Sequence, residues 1–216
     1  MKIRWNGHAS FTITANDGTI IVNDPYKPGA FGGGIGYQQI TDQPDIVTIS
    51  HDHDDHNYAA GFKGQFEIVR GAKTAKGIAF RAIDVFHDEK GGKDRGANRI
   101  FVFTVNGVTI CHAGDLGHPL NDEQAKQIGK IDVLLLPVGG FYTIDYLQAT
   151  DVINKLKPAI VIPMHFKTDK CGFPIAEVAK FTQGKERVRH VGADEIELVA
   201  GKLPGATEIL VLNHRF

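Results

Sequence analysis

Three imidazoles and three carboxylates fill six consecutive positions, His51-Asp52-His53-Asp54-Asp55-His56. Turns favour Gly, Asn, Asp and Pro for backbone reasons, and none of those reasons calls for histidine. Neutral imidazole and carboxylate are the usual ligands of zinc and neighbouring transition metals, so this density of both points to a metal site rather than a solvated loop. The stretch follows Asp45-Ile46-Val47-Thr48-Ile49-Ser50, a β-branched run that reads as a buried strand. On extended backbone, His51 and His53 point the same way and can grip one ion. If the chain then curls toward a helix at Asn57-Tyr58-Ala59-Ala60, Asp55 and His56 turn to a second point nearby.

One hexapeptide cannot close two coordination shells, so further ligands must come from elsewhere. The hexapeptide, with Asp24 before it and the segments around His87, Asp115 and His165 after it, resembles the pattern of the metallo-β-lactamase superfamily. The likeness runs in the same order through nearly the whole chain. Gly7-His8-Ala9-Ser10-Phe11, His112-Ala113-Gly114-Asp115 and Pro163-Met164-His165-Phe166 resemble the branch that includes ascorbate-phosphate lactonases and small hydrolases.

That resemblance implies a site. His51, His53 and His87 would hold one divalent ion, Asp55, His56 and His165 a second, and Asp115 would bridge both. Zinc is the expected metal, with Mn, Fe or Ni also compatible. A hydroxide shared by the two ions would attack a carbonyl or phosphorus, with Asp55 and Asp115 the carboxylates at the catalytic centre and no Ser or Cys nucleophile required. His112, at the end of the run Val108 to Cys111, rivals His87 as third histidine of the first ion. Two arguments favour His87: Asp115, the expected bridging carboxylate, lies only three residues after His112, and the superfamily's third histidine comes a strand pair earlier. His112 is then expected behind the ligands. Asp24 matches the superfamily's first motif and is expected to accept a hydrogen bond from a ligand histidine, although the bland reading is an Asp-Pro turn. His8 is expected behind the ligands or against the substrate, with a purely structural histidine as the alternative. Tyr142 is a candidate substrate or oxyanion donor, against the commoner reading that an aromatic there only packs.

The resemblance also discriminates within the superfamily. Histidine rather than glutamate at position 53 argues against the flavodiiron oxygen reductases, and His56 rather than arginine against most class B β-lactamases. The interval from Asp115 to His165 leaves no room for the inserted domain of the nucleases that process messenger RNA ends, which argues for small substrates. The expected activity is hydrolysis of a small anion, a phosphodiester or a phosphorylated lactone. The competing reading is a one-iron sulfur dioxygenase or a non-hydrolytic metal-binding protein of the same fold.

Composition sets the outer bounds. The 216 residues are 42% hydrophobic, enough for one good core, and the whole of 1–216 reads as one domain. Twenty-four basic residues against 25 acidic ones leave no global field to draw nucleic acid or a membrane, so the expected partner is a small molecule, with homo-oligomerisation open. Two cysteines, Cys111 and Cys171, give no disulfide framework. No apolar run spans a bilayer and Met1 to Asn6 does not resemble a signal peptide, so the expected location is the cytoplasm.

The elements that must position these residues are mostly strands. Lys2–Trp5, Ser10–Ala15 and Thr19–Val22 read as strands, with a turn at Asn16-Asp17-Gly18. Phe66–Arg70, Ile78–Phe86, Val108–Cys111, Asp132–Val138 and Ala159–Met164 follow, and 187–191, 195–200 and 208–212 close the chain as strands. Helices are expected from Asn121 to Ile128, from Asp145 to Leu156 and from Pro174 to Phe181. The glycine-rich stretch 29–36 lacks a Gly-Lys-Ser/Thr ending and is no phosphate-binding loop; it reads as a flap at the pocket mouth or as a plain surface loop. Strands delivering ligands at their ends, with helices late in the chain, suggest two face-to-face mixed sheets. The resemblance specifies the arrangement, a four-layer αββα metallo-β-lactamase-like sandwich of the α/β (α+β) class.

Overall fold

Apolar residues that alternate along a strand bury one face, and the first sheet is built on that period. In the computed structural model, which describes residues 1–216, β1 (Lys2–Gly7), β2 (Ser10–Thr14), β3 (Ile20–Asn23), β4 (Ile46–Thr48), β5 (Glu67–Val69) and β13 (Glu195–Glu197) form six strands in the order β13-β1-β2-β3-β4-β5. Ile3, Trp5, Phe11, Ile13, Ile21 and Ile46 point into the main core, whereas Val22, one residue on from Ile21, packs on the other face with Tyr26, Ile35, Tyr37 and Ile40. The second face is therefore covered mainly by the segment after β3, whose one helical piece is the four-residue turn α1 (Ala30–Gly33).

The second sheet has eight strands in the order β12-β14-β11-β10-β9-β8-β7-β6. They are β6 (Lys73–Ala75), β7 (Ile78–Phe86), β8 (Ala97–Val105), β9 (Val108–His112), β10 (Val133–Pro137), β11 (Ile160–Met164), β12 (Val188–His190) and β14 (Glu208–Val211). β10 and β11 are buried at every position, as central parallel strands covered on both faces must be. The helices α2 (Asp122–Ile128) and α3 (Tyr146–Leu156) are the crossovers between parallel neighbours β9, β10 and β11. Each begins with a capping box, Asn121 with Gln124 and Asp145 with Gln148. α3 buries Ala149, Val152 and Ile153 in the same core as both sheets. The result is the mixed two-sheet sandwich expected of a metallo-β-lactamase fold.

Two expectations need correction. The helix placed over Pro174–Phe181 is shorter and later, α4 (Val178–Thr182). The Ala176 N–H donates to Gly139 O and the Lys167 N–H to Ala176 O, so the chain before Val178 is tied to the loops after β10 and β11 by a parallel bridge of Glu177 with Lys167. No strand is expected between Phe86 and Val108, yet β8 begins at Ala97 and pairs with β7 from Ala97 to Val102. No helix is long and apolar enough to cross a membrane.

Candidate metal centre

Every ligand-type residue lies just past the end of a strand, at one edge of the sandwich. Asp24 follows β3, His51 to His56 follow β4, His87 follows β7, Asp115 follows β9 and His165 follows β11. Backbone conformation there is unusual. Eight non-glycine residues have positive φ; Lys76, Asn106 and Lys157 serve turns or a helix end, but His8 (51°), Asp24 (40°) and His165 (50°) are in the site, Phe31 lines the cavity beside it, and Phe141 directly precedes the cavity residue Tyr142. A non-glycine residue is held this way only where its surroundings over-determine it, and such residues cluster at functional sites.

Asp115 is the centre of the cluster. Its Oδ2 lies 3.0 Å from His87 Nε2, 3.1 Å from His56 Nε2 and 3.3 Å from His165 Nε2. Its backbone N–H donates to Asn98 Oδ1 at 3.2 Å, while Asn98 Nδ2 donates to Ala113 O at 2.9 Å. Gly114, at φ 53°, makes this approach feasible, because a Cβ there would fall on Asn98 Oδ1 and Ser50. Two groups of ligand atoms flank Asp115, each with all atoms within 4.8 Å of one another: His51, His53 and His87 on one side, His8, Asp55, His56 and His165 on the other.

Proton positions follow from the partners behind the histidines. Asp24 accepts from the Ser50 N–H at 2.8 Å, from the Ser50 hydroxyl at 2.5 Å and from His56 Nδ1–H at 2.9 Å. Since the Ser50 proton goes to Asp24, Ser50 Oγ accepts from His51 Nδ1–H at 2.9 Å. Burial opposes the charge on Asp24, but His112, His56 and His51 outweigh it and hold the carboxyl below its usual range. One ionised carboxylate thus holds both Nδ1–H groups outward, and leaves Nε2 of His51 and His56 as the atoms that face the centre.

Those Nε2 atoms are crowded by other ligand-type atoms. His51 Nε2 lies 3.0 Å from His53 Nδ1, and His56 Nε2 is a buried atom without a hydrogen-bond partner, 3.1 Å from Asp115 Oδ2. Asp55 Oδ1 and Asp115 Oδ1 are likewise buried and unpartnered. Two nitrogens on one tetrahedral zinc, each at about 2.05 Å, stand about 3.3 Å apart. The donor spacings and the orphaned atoms fit bound cations. The field points the same way: burial opposes ionisation of Asp115, yet His165, His56 and His87 hold its carboxyl well below the usual range. Burial likewise opposes charge on His56, but Asp115 and Asp55 raise its pKa well above the ordinary value, so positive charge, a proton's or a cation's, is favoured at its Nε2.

His8 is fully enclosed, its Nε2–H donating to Asp55 Oδ2 at 3.0 Å and its ring centroid 4.1 Å from that of His165. Burial, with His165 beside it, lowers its pKa to about 4, so it is neutral at pH 7. His112 Nε2–H donates to Ala9 O at 2.8 Å, and its Nδ1 is 4.0 Å from Asp24, which places it behind Asp24 and away from Asp115. Tyr142 lines the cavity in front of Asp55 and Asp115, beside Phe31, Arg95 and Phe173. The glycine-rich stretch is pinned to the far wall by an antiparallel bridge between Ile35 and Cys171, which brings Phe31 to the cavity. Sequence reasoning missed Ser50, Asn98 and Phe173; only the position of Ser50 directly before His51 offered a signal.

The β-lactamase superfamily domain matches residues 2–165. The chain belongs to this superfamily. It is 29% identical over 193 residues to a UPF0173 metal-dependent hydrolase of Thermoplasma acidophilum, covering 78% of this chain and 84% of the relative. A Thermotoga maritima structure, described as a proposed Zn-dependent hydrolase of the metallo-β-lactamase superfamily, is 36% identical, with TM-score 0.79 over 98% of this chain and 97% of that one. Igni18, a metallo hydrolase from Ignicoccus hospitalis, shares the fold at TM-score 0.62 and 24% identity, over 84% of this chain and 88% of its own. This superfamily member thus has relatives named for metal-dependent hydrolysis along nearly its whole length.

Proposed function

We propose that the chain is a hydrolase that holds two divalent cations, zinc by donor chemistry, and cleaves a small anionic substrate, a phosphodiester or a phosphorylated lactone. The observation that carries the reading is the pair of ligand groups on either side of one carboxylate oxygen. His51, His53 and His87 would hold one ion, Asp55, His56 and His165 the other, and Asp115 both. Bound there, such ions lower the pKa of coordinated water to about 7 and stabilise developing negative charge.

The chain's own residues prepare that chemistry. Asp24 and Ser50 hold the Nδ1–H groups of His51 and His56 outward, so Nε2 is the nitrogen each ring would offer an ion. His8 donates to Oδ2 of Asp55, and Oδ1 stays buried and without a hydrogen-bond partner. Burial of Asp55, Asp115, His56 and His165 keeps water from competing with the substrate for these charges. Elemental analysis tests the reading: two ions per wild-type chain and fewer in Asp115→Ala are expected, with turnover of bis-p-nitrophenyl phosphate or lactone phosphates lost in the variant. A wild type that saturates at one ion, with Asp115→Ala unchanged, refutes it.

A further inference from the structure

The cavity in front of Asp115 holds about 230 Å3, below the roughly 300–1,000 Å3 of drug-sized sites. Its outer wall combines two features that the metal chemistry does not use, a cation and a set of aromatic rings. The cation is Arg95, half-buried, with its guanidinium carbon 5.2 Å from the centre of the Tyr142 ring. Its backbone is fixed as well, because the Arg95 N–H donates to Asp88 Oδ2 at 2.8 Å, one of four backbone N–H groups that this carboxylate gathers.

The other basic side chains of this region are engaged or absent from the cavity wall. Lys90 pairs with Asp94 at 2.8 Å, and Lys167 Nζ donates to Phe173 O at 3.0 Å. Lys93 does not line the cavity. Of the nearby acids, Glu89 accepts from Gln148 at 2.5 Å and Asp94 is taken by Lys90, so Arg95 enters no ion pair. A guanidinium laid against an aromatic face keeps its planar edge of N–H donors free for a bidentate oxyanion.

The rings complete the wall. Phe173 stands edge-on to Phe31 at 5.6 Å and to Tyr142 at 5.5 Å. Phe31 is 58% exposed and is held at φ 55°, so the backbone keeps an apolar ring at the mouth of a polar site. Such a rim suits a ligand with a flat apolar face.

We infer that Arg95 is a specificity-determining residue, and that the substrate is a small molecule with an apolar, preferably aryl, body and a carboxylate or phosphate that Arg95 grips. This rests on the site being the one proposed above. The test is calorimetric binding of phenylphosphonate, phenylacetate and neutral benzamide to metal-loaded wild type, Arg95→Met and Arg95→Lys, with metal content measured on each sample. Loss of a charge-assisted pair predicts a Kd raised roughly 10- to 100-fold for the preferred anion in Arg95→Met, with a smaller rise in Arg95→Lys. Benzamide should stay within about threefold of wild type in both variants. Whichever anion carries the larger effect identifies the oxyanion. Absence of anion binding by wild type, or equal binding by fully metal-loaded Arg95→Met, overturns the inference while leaving the metal centre intact. A wild type without metal fails the functional reading instead, and does so on a separate measurement.

Discussion

Replacing Asp24 by asparagine changes almost no volume, yet should invert two histidines. The carboxylate accepts three hydrogen bonds, two from Ser50 and one from His56 Nδ1. An amide has one accepting oxygen, so in either orientation its N–H2 group meets a donor. The least costly rearrangement turns Ser50 Oγ and His56 Nδ1 into acceptors. The His56 proton then moves to Nε2, into the 3.1 Å space before Asp115, and Ser50 donates to His51 Nδ1, which drives that proton to Nε2 as well. Losing one partner behind a ligand histidine typically costs about 10- to 100-fold in metal affinity. With two histidines governed by one carboxylate, the loss should be at least about 100-fold, short of full additivity because the sites are coupled. Ser50→Ala leaves the Asp24–His56 bond in place and should cost only about 10-fold. Competitive chelator titration with zinc at pH 7 measures both, and melting curves of the metal-free variants separate folding from binding. Wild-type affinity in Asp24→Asn, or an equal loss in Ser50→Ala, would show that Asp24 does not set the tautomers.

Two further outcomes follow from the same geometry. His87→Ala should lose far more metal than His112→Ala, for which about 10- to 100-fold is the ceiling, because His87 Nε2 faces Asp115 while His112 is turned to Ala9 O; chelator titration of both variants decides, and a reversed order means the site lies on the other side of Asp24. Gly117→Ala should destabilise even the metal-free chain, since its Cβ would strike the backbone of His87 and Asp88; overpacking of about 1–3 kcal/mol predicts a Tm lowered by about 2–10 °C, and an unchanged Tm with normal metal content would show that the two loops have room to part.

How much of this was legible in sequence depends on whether the signal was local. β7 runs from Ile78 to Phe86 as its alternation implies, and α2 and α3 begin where Asn121 and Asp145 can cap them. The fourth helix went astray because Pro174 at a helix start is a local preference, and the competing bonds from Ala176 and Lys167 come from segments that no window around Pro174 contains. β8 was hidden in part by its polar opening, Ala97-Asn98-Arg99, which continues the composition of the loop before it.

The site divides along the same line. Histidine and aspartate at this density have few uses besides metal, so the ligand-type residues stood out by kind, and the fold had only to bring them together. A hydroxyl, an amide or a guanidinium has many uses, and its role is set by neighbours far away in sequence. Ser50 matters because Asp24, 26 residues earlier, takes its proton. Arg95 shares its loop with Lys90 and Lys93, and by composition the three are interchangeable. Asp94 removes Lys90, the turn of the loop leaves Lys93 off the cavity wall, and the Tyr142 ring, on the connection between β10 and α3, receives Arg95 alone. Specificity in this site is therefore written in pairings between loops, whereas the chemistry is written in residue types.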